Sequence, residues 1–273
     1  MERLCSLFVF FILSISASCT YAEQEFIQPA LTFCVEDTEF PPYNYFDRSN
    51  GQKRQTQGYD VDVLARVFAS TGIEYKIVAL PWRRCLKEVR EGLIDAAMSA
   101  SLNAQRQQDY IATQAYYYLT PSYFYLHSDY PNPPDITHLD QLIPLGHICG
   151  IKGFNYRNFG LTQLDKLYEI NDLAHLPDML KRNRCEFFLA RKETLLGTAA
   201  VNKLHDLDEI LRNQPVPNIQ LEPFHMLISR KSAYSKLIEE QFNQVVSELI
   251  SSGETQQLLE RHIEQLKQMA NQD

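Results

Sequence analysis

The chain has 273 residues, a formal net charge of −8 and 45% hydrophobic residues. The acidic balance argues against nucleic acid and against an anionic membrane surface as partners, and the length suits one large or two modest domains, each with its own core. No CxxC or Cys/His spacing suggests a structural metal, and no cofactor is expected.

The first segment, MERLCSLFVFFILSISASCTYA, carries Arg3, then an apolar run from Leu4 to Ile15 and small residues ending in Ala22. The run is too short to cross a bilayer comfortably and no stop-transfer charges adjoin it. Residues 1–22 therefore read as a cleaved secretory signal peptide; a lipid anchor at Cys19 and an uncleaved anchor are the alternatives. Export to an oxidising compartment permits disulfides. Cys34 with Cys85 and Cys149 with Cys185 are candidate pairs, with buried free thiols the alternative for each.

ALTFCVE reads as a buried strand and leads into the crowded stretch VEDTEFPPYNYFD. GYDVDVLARVFASTG follows, with Val61, Leu64, Val67 and Phe68 at helical spacing, Asp60 as candidate cap and Gly72 as stop. IEYKIVAL is a β-branched, alternating strand. Pro81 suits the first turn of the next helix, PWRRCLKEVREG, in which Trp82, Cys85, Leu86 and Val89 share a face and Gly92 is the stop. IDAAMSA closes a β-α-β-α-β series, which argues for a parallel sheet covered by helices.

The pattern then restarts. PLGHICGIKG is strand-like, HLPDMLKRN a short helix, CEFFLAR a strand and RKETLLGTAAVNKL helical, with the proline-bearing stretches SDYPNPPDIT and RNQPVPNIQ on either side. FHMLISR is a further strand. After it, Leu237, Phe242, Val245, Val246, Leu249 and Ile250 keep helical spacing in a C-terminal region that breaks at SSGE and is too polar to be a membrane span. Two α/β units in sequence place a functional site in the cleft between them.

At GYDVDVLARVFASTG, LPWRRCLKEVREGLIDAAMSASLNAQR and FHMLISRKSAYSKLIEEQFNQVVSELISSG the chain resembles the extracellular solute-binding proteins of family 3. These are the periplasmic amino-acid-binding receptors of ABC transporters. The resemblance implies an α/β, periplasmic-binding-protein type II fold, with two α/β lobes, a hinge and an interlobe cleft that closes on a ligand. Lobe 1 is expected over 23–124 and 223–273 and lobe 2 over 125–222, with crossings near YFYLHSD and IQLEPFH. The implied protein is a periplasmic monomer that captures a small polar or anionic ligand for an ABC permease or a membrane sensor.

In such receptors the arginine shortly after IDAAMSA grips the ligand carboxylate, a role that falls on Arg106. A guanidinium fork matches a planar carboxylate as lysine cannot; the bland alternative is a surface pair with Asp109. Ser99 and Ser101 are candidate donors beside it. Phe40, Tyr43 and Trp82 are candidate walls, apolar rings that bury a ligand at little entropic cost, or else core residues. Of Arg83 and Arg84, at most one faces the cleft. In GIKGFNYRNFG, Lys152, Asn155 and Tyr156 are candidates to close over the ligand, unless the segment is simply a turn with a solvated lysine.

One departure stands out. Where amino-acid receptors commonly carry an Asp for the ligand ammonium, the match places Arg191, which cannot accept from it. Either the ligand lacks that group and is a dicarboxylate or other anion, or Glu36 or Asp37 holds it, with Glu193 a further candidate. Some exported relatives resemble dehydratases of small carboxylic acids, and Glu36, Asp37, His147 and His225 are the titratable groups such chemistry would draw on. Adjacent residues on a strand face opposite ways, however, and no Gly-x-Ser-x-Gly, metal or nucleotide motif is present. A receptor is expected, not an enzyme.

Overall fold

In the computed structural model, which describes residues 30–49, 55–171, 173–204 and 207–270, two separate sheets divide the chain. The expected signal peptide lies outside the described residues. The apolar run Leu31–Glu36 forms β1. After it, β2 (Tyr45–Phe46) and β3 (Thr56–Gln57) make a small ribbon. Helix α1 (Tyr59–Phe68), β4 (Tyr75–Leu80), α2 (Trp82–Glu91) and β5 (Ala96–Ser101) follow in the expected alternation. Gly92, at φ 83°, ends α2 in the left-handed conformation that favours glycine. A short helix, α3 (Ala104–Asp109), and strands β6 (Tyr110–Ala112) and β7 (Tyr117–Leu119) complete this part.

The second sheet begins with β8 (Pro121–Leu126), followed by β9 (Ile148–Ile151), β10 (Leu167–Ile170), α4 (Leu176–Lys181), β11 (Phe187–Arg191), α5 (Lys192–Val201), α6 (Leu207–Ile210) and β12 (Leu211–Pro215). The chain then returns through β13 (Glu222–Ser229) and ends in α7 (Ser235–Ser252) and α8 (Glu254–Ala270). None of the described helices is long and apolar enough to cross a membrane.

The first sheet runs β4-β1-β5-β13-β6, with β7 also on β13. Strands β4, β1 and β5 of the β-α-β-α-β series pair in parallel as expected, and the sheet becomes mixed where β13 enters antiparallel beside β5. The second sheet runs β10-β9-β11-β8-β12, with β8 antiparallel to both of its neighbours. Alternation along a strand sends successive side chains to opposite faces. Phe33 and Val35 pack with α1 and α7 while Cys34 packs with α2, and in the second sheet Phe188 and Leu189 enter different cores.

The crossings are short. Leu119 ends β7 in the first sheet and Pro121 opens β8 in the second, leaving Thr120 alone between them. Its backbone N–H and its hydroxyl both donate to Glu193 of α5, at 3.0 and 2.7 Å. The boundary expected between residues 124 and 125 therefore falls inside a strand. YFYLHSD was read as a crossing, but its first half lies in a fully buried segment of the second sheet. The return crossing occupies 216–221, overlapping IQLEPFH only at Ile219, Gln220 and Leu221, and Glu222 already belongs to β13. Cys34–Cys85 and Cys149–Cys185 are both joined as disulfides, each within one sheet's unit, across 51 and 36 residues.

Candidate functional site

Parallel strands deliver their C-terminal ends to one edge, where open α/β sheets bind ligands. Here that edge meets the second lobe around a cavity of about 20 Å3, room for about one water. Its apolar walls are Phe40, Trp82, Met98, Phe154 and Phe224, and its polar lining comprises Glu36, Asn44, Ser99, Ser101, Arg106, Asn155 and Arg191. Phe40 stacks on Phe224 and meets Phe154 edge-on, so rings from both lobes close the floor. Arg106, Phe154 and Asn155 also border an adjoining hollow of about 370 Å3 that extends along the second lobe to Glu169.

Arg106 is placed by α3, whose first turn is capped by the Asn103 side chain accepting the Arg106 amide at 2.8 Å. Its guanidinium is buried over the Trp82 ring, 5.7 Å from the centroid, and Nη1 donates to the Ser101 carbonyl and hydroxyl oxygens at 2.8 and 3.2 Å. Asp109, the alternative partner, instead lies 3.7 Å from Arg90. No acid forms an ion pair with Arg106 among the described residues. Burial, and next the Arg191 charge, hold its pKa down at about 10. An anion entering the cavity would relieve both effects.

Arg191 behaves differently. It ends β11 fully buried, and its Nε and Nη2 donate to the two carboxylate oxygens of Glu222 at 2.8 and 3.1 Å, while Nη2 also donates to the Asn155 carbonyl at 3.0 Å. Phe159 lies 4.8 Å beneath the guanidinium. A bidentate carboxylate already satisfies this arginine, so the reading of Arg191 as a second free anion seat gives way to a neutralised pair bridging β11 and β13.

Asp60 does not cap α1. It lies wholly buried in the first turn, and its carboxylate accepts from the Asn44 amide, the Ser99 hydroxyl and the Tyr116 hydroxyl. Burial raises its pKa to about 6, against the pull of those three donors. Ser99, at φ 57°, also accepts from the Tyr117 hydroxyl at 2.6 Å. Its hydroxyl therefore serves this internal network, although the residue lines the cavity. Asn44 lines the cavity as well, and its Oδ1 is buried with no partner. Glu36, at the end of β1, accepts the Thr38 amide at 3.3 Å, and burial pushes its carboxyl up to about 7.

Three expected residues stand apart from the cavity. Tyr43 is stacked on Tyr117 at 3.9 Å in the first core, Tyr156 receives the Ile151 amide inside the second, and Lys152 is exposed. Tyr156 does border the larger hollow. Asp37 and Glu193 do not line the cavity either, and Glu193 is engaged at the Thr120 crossing. Of the arginine pair at the start of α2, Arg83 reaches Glu169 of the second lobe at 3.1 Å, while Arg84 pairs with Glu88 on its own helix. Asn44, Met98, Phe154, Phe224 and Glu222 were not anticipated. Asn44 and Phe154 lie in stretches the sequence had marked, and the offset was of a residue or two.

Among the described residues no cluster of three or more His, Cys, Asp or Glu could hold a metal. His147 is exposed beside Glu186, and His225 donates from Nδ1 to the Thr113 carbonyl at 2.7 Å, away from the cavity lining.

No curated protein matches the chain in sequence. Many solved structures share its fold. An amino-acid ABC transporter substrate-binding protein of Streptococcus pneumoniae, bound to L-arginine, is 18% identical with a TM-score of 0.70, over 87% of this chain and 95% of that one. The arginine-, lysine-, histidine-binding protein of Geobacillus stearothermophilus is 14% identical with a TM-score of 0.67, over 88% and 100%. A further substrate-binding protein of S. pneumoniae, with bound histidine, is 16% identical with a TM-score of 0.65, over 85% and 91%. At these identities the likeness is one of fold. The family pattern of the bacterial extracellular solute-binding proteins, family 3, spans residues 31–265, and the chain belongs to that family.

Proposed function

We propose that the protein is a periplasmic receptor that captures a small, carboxylate-bearing polar solute, an amino acid or a related organic acid, and delivers it to an ABC permease. Binding, not catalysis, is its activity. The observation that carries the ligand class is Arg106, a buried guanidinium that lines the interlobe cavity and forms no ion pair with an acid among the described residues. The solved structures of like fold bound to arginine and histidine support an amino-acid ligand. A type II arrangement is supported by the antiparallel return of β13 between β5 and β6, and the single-residue crossing at Thr120 supports lobes that move as rigid bodies about a hinge. A cavity of about 20 Å3 admits no amino acid, so the ligand enters an opened cleft and closure follows. The apolar run before Ala22 supports export with a cleaved signal, and a monomer suffices for this role.

The test is a thermal-shift screen of amino acids and small organic acids, with hits confirmed by calorimetry, since a ligand bound only by the native state raises stability. Arg106→Ala should weaken any carboxylate hit by about 2–5 kcal/mol, and Arg106→Lys should recover little of it. Unchanged affinity in Arg106→Ala would remove this arginine from the site.

A further inference from the structure

We infer that the first lobe carries a second binding site, a hollow between α2 and α3 that takes a multivalent oxyanion, a phosphate group above all. The inference stands apart from the receptor reading above, because the hollow is bordered by the first lobe alone and its charge selects a different class of ligand.

The hollow has a volume of about 240 Å3. One wall is α2, where Arg83, Leu86, Lys87 and Arg90 follow at the three- and four-residue spacing that gathers side chains on one helix face. Arg106 stands in the opposite wall, 7% exposed. The Tyr110 hydroxyl donates to the Leu86 carbonyl at 2.7 Å, which fastens the two walls together. In a chain of net charge −8, Arg83, Lys87, Arg90 and Arg106 thus border one hollow whose lining holds a single acid, Asp109.

The neighbouring acids leave these cations with donors to spare. Lys87 lies 4.0 Å from Glu91 and Arg90 lies 3.7 Å from Asp109, both beyond hydrogen-bond length. Asp109 is also engaged by the Gln105 amide, which donates to its Oδ1 at 3.0 Å. Arg83 meets Glu169 at 3.1 Å through Nη2, in a pair whose arginine side chain is more than half exposed. Among the described residues Arg106 donates from Nη1 alone, to the two oxygens of Ser101. Guanidinium forks and an ammonium are the groups that phosphate oxygens pair with, each through charge-assisted hydrogen bonds. A zwitterionic amino acid fits poorly, because its own ammonium would meet cations on both walls. A phosphate group brings nearly two negative charges at neutral pH and no positive one.

The experiment is calorimetry of the full protein with inorganic phosphate and with glycerol 3-phosphate, at constant low ionic strength and with chloride as the control anion. Wild type should bind at least one of the two saturably. Tighter glycerol 3-phosphate would assign the site to a phosphate ester, and equal or tighter inorganic phosphate to the free ion. Lys87→Gln with Arg90→Gln, exposed helix positions where glutamine is tolerated, should weaken that binding about tenfold, roughly threefold for each exposed cation. Asp109→Asn, which removes the single lining acid, should tighten it about threefold. No saturable binding overturns the inference, as does chloride competing as well as phosphate, or weaker binding in Asp109→Asn. Binding that Arg106→Ala abolishes while the Lys87 and Arg90 changes leave it untouched belongs to the interlobe cavity, and it overturns the inference too.

Discussion

Glu36 reaches the cavity at the end of β1, where burial outweighs the Thr38 amide and holds its carboxyl protonated up to about 7, from an ordinary 4.5. Asp60, in the first turn of α1, is raised by burial to about 6 from 3.8. For an acid whose folded pKa is raised, the stabilising proton is fully present below the unfolded pKa and is lost as pH rises through the folded one. The unliganded protein should therefore lose stability between about pH 4 and pH 7 from these two groups, by up to about 3 kcal/mol for Glu36 alone. Denaturant melts of wild type and Glu36→Gln across that window should diverge, the variant staying flatter near neutral pH. Parallel profiles would show that Glu36 ionises freely. At this scale the sequence identified Arg106, Glu36, Phe40 and Trp82 as cavity residues because each sits at or just beyond a strand end. It missed Glu222 because an acid at a strand start carries no signal until its partner is known.

Elements that pair locally were legible in the sequence, and those that pair across the chain were not. The β-α-β-α-β run was readable from hydrophobic period and capping residues. By contrast β12 hid in a proline-bearing stretch, as edge strands can, and β8 passed for a crossing because the family resemblance placed the hinge at YFYLHSD. The pair Arg191–Glu222 belongs to this scale, tying the end of β11 to the start of β13. Removing one partner of a buried pair leaves an uncompensated charge. Glu222→Gln should cost about 3–5 kcal/mol, seen as a lowered unfolding midpoint, whereas the double change Arg191→Met with Glu222→Leu should recover much of it. The disulfides act on the unfolded chain. Closing loops of 51 and 36 residues stabilises by about 4 kcal/mol each in the chain-entropy account. Cys34→Ala with Cys85→Ala, and the corresponding pair in the second lobe, should each lower the denaturation midpoint by up to that amount.

Polar and apolar contacts both join the lobes. Asn155 and Asn158 both donate to the Leu102 carbonyl, Arg83 meets Glu169, and Leu266 of α8 packs with Tyr45 and with Val201 of α5. Gly197 in α5 marks a close approach, since a Cβ there would stand 2.6 Å from the Pro41 carbonyl oxygen of the first lobe. Gly197→Ala should therefore prop the lobes apart. Alanine favours the helix over glycine by about 1 kcal/mol, so the second lobe itself should not weaken. A clash costing about 1–3 kcal/mol should lower ligand affinity roughly 5- to 150-fold through the population of closed protein. Calorimetry, with small-angle scattering showing a larger radius of gyration, would check this. Unchanged affinity with unchanged dimensions would mean that the lobes close without this contact.

The sequence by itself determined two α/β units, the family to which they belong and the edge at which the cavity forms, because hydrophobic period, caps and strand ends are local properties. Only the tertiary structure decided the electrostatics of that cavity. Arg106 and Arg191 look alike along the chain, yet one ends beside Ser101 with no acid and the other in the grasp of Glu222, 31 residues away. Whether a buried charge is free for a ligand depends on what folding brings within about 3 Å of it, and no local pattern records that distance.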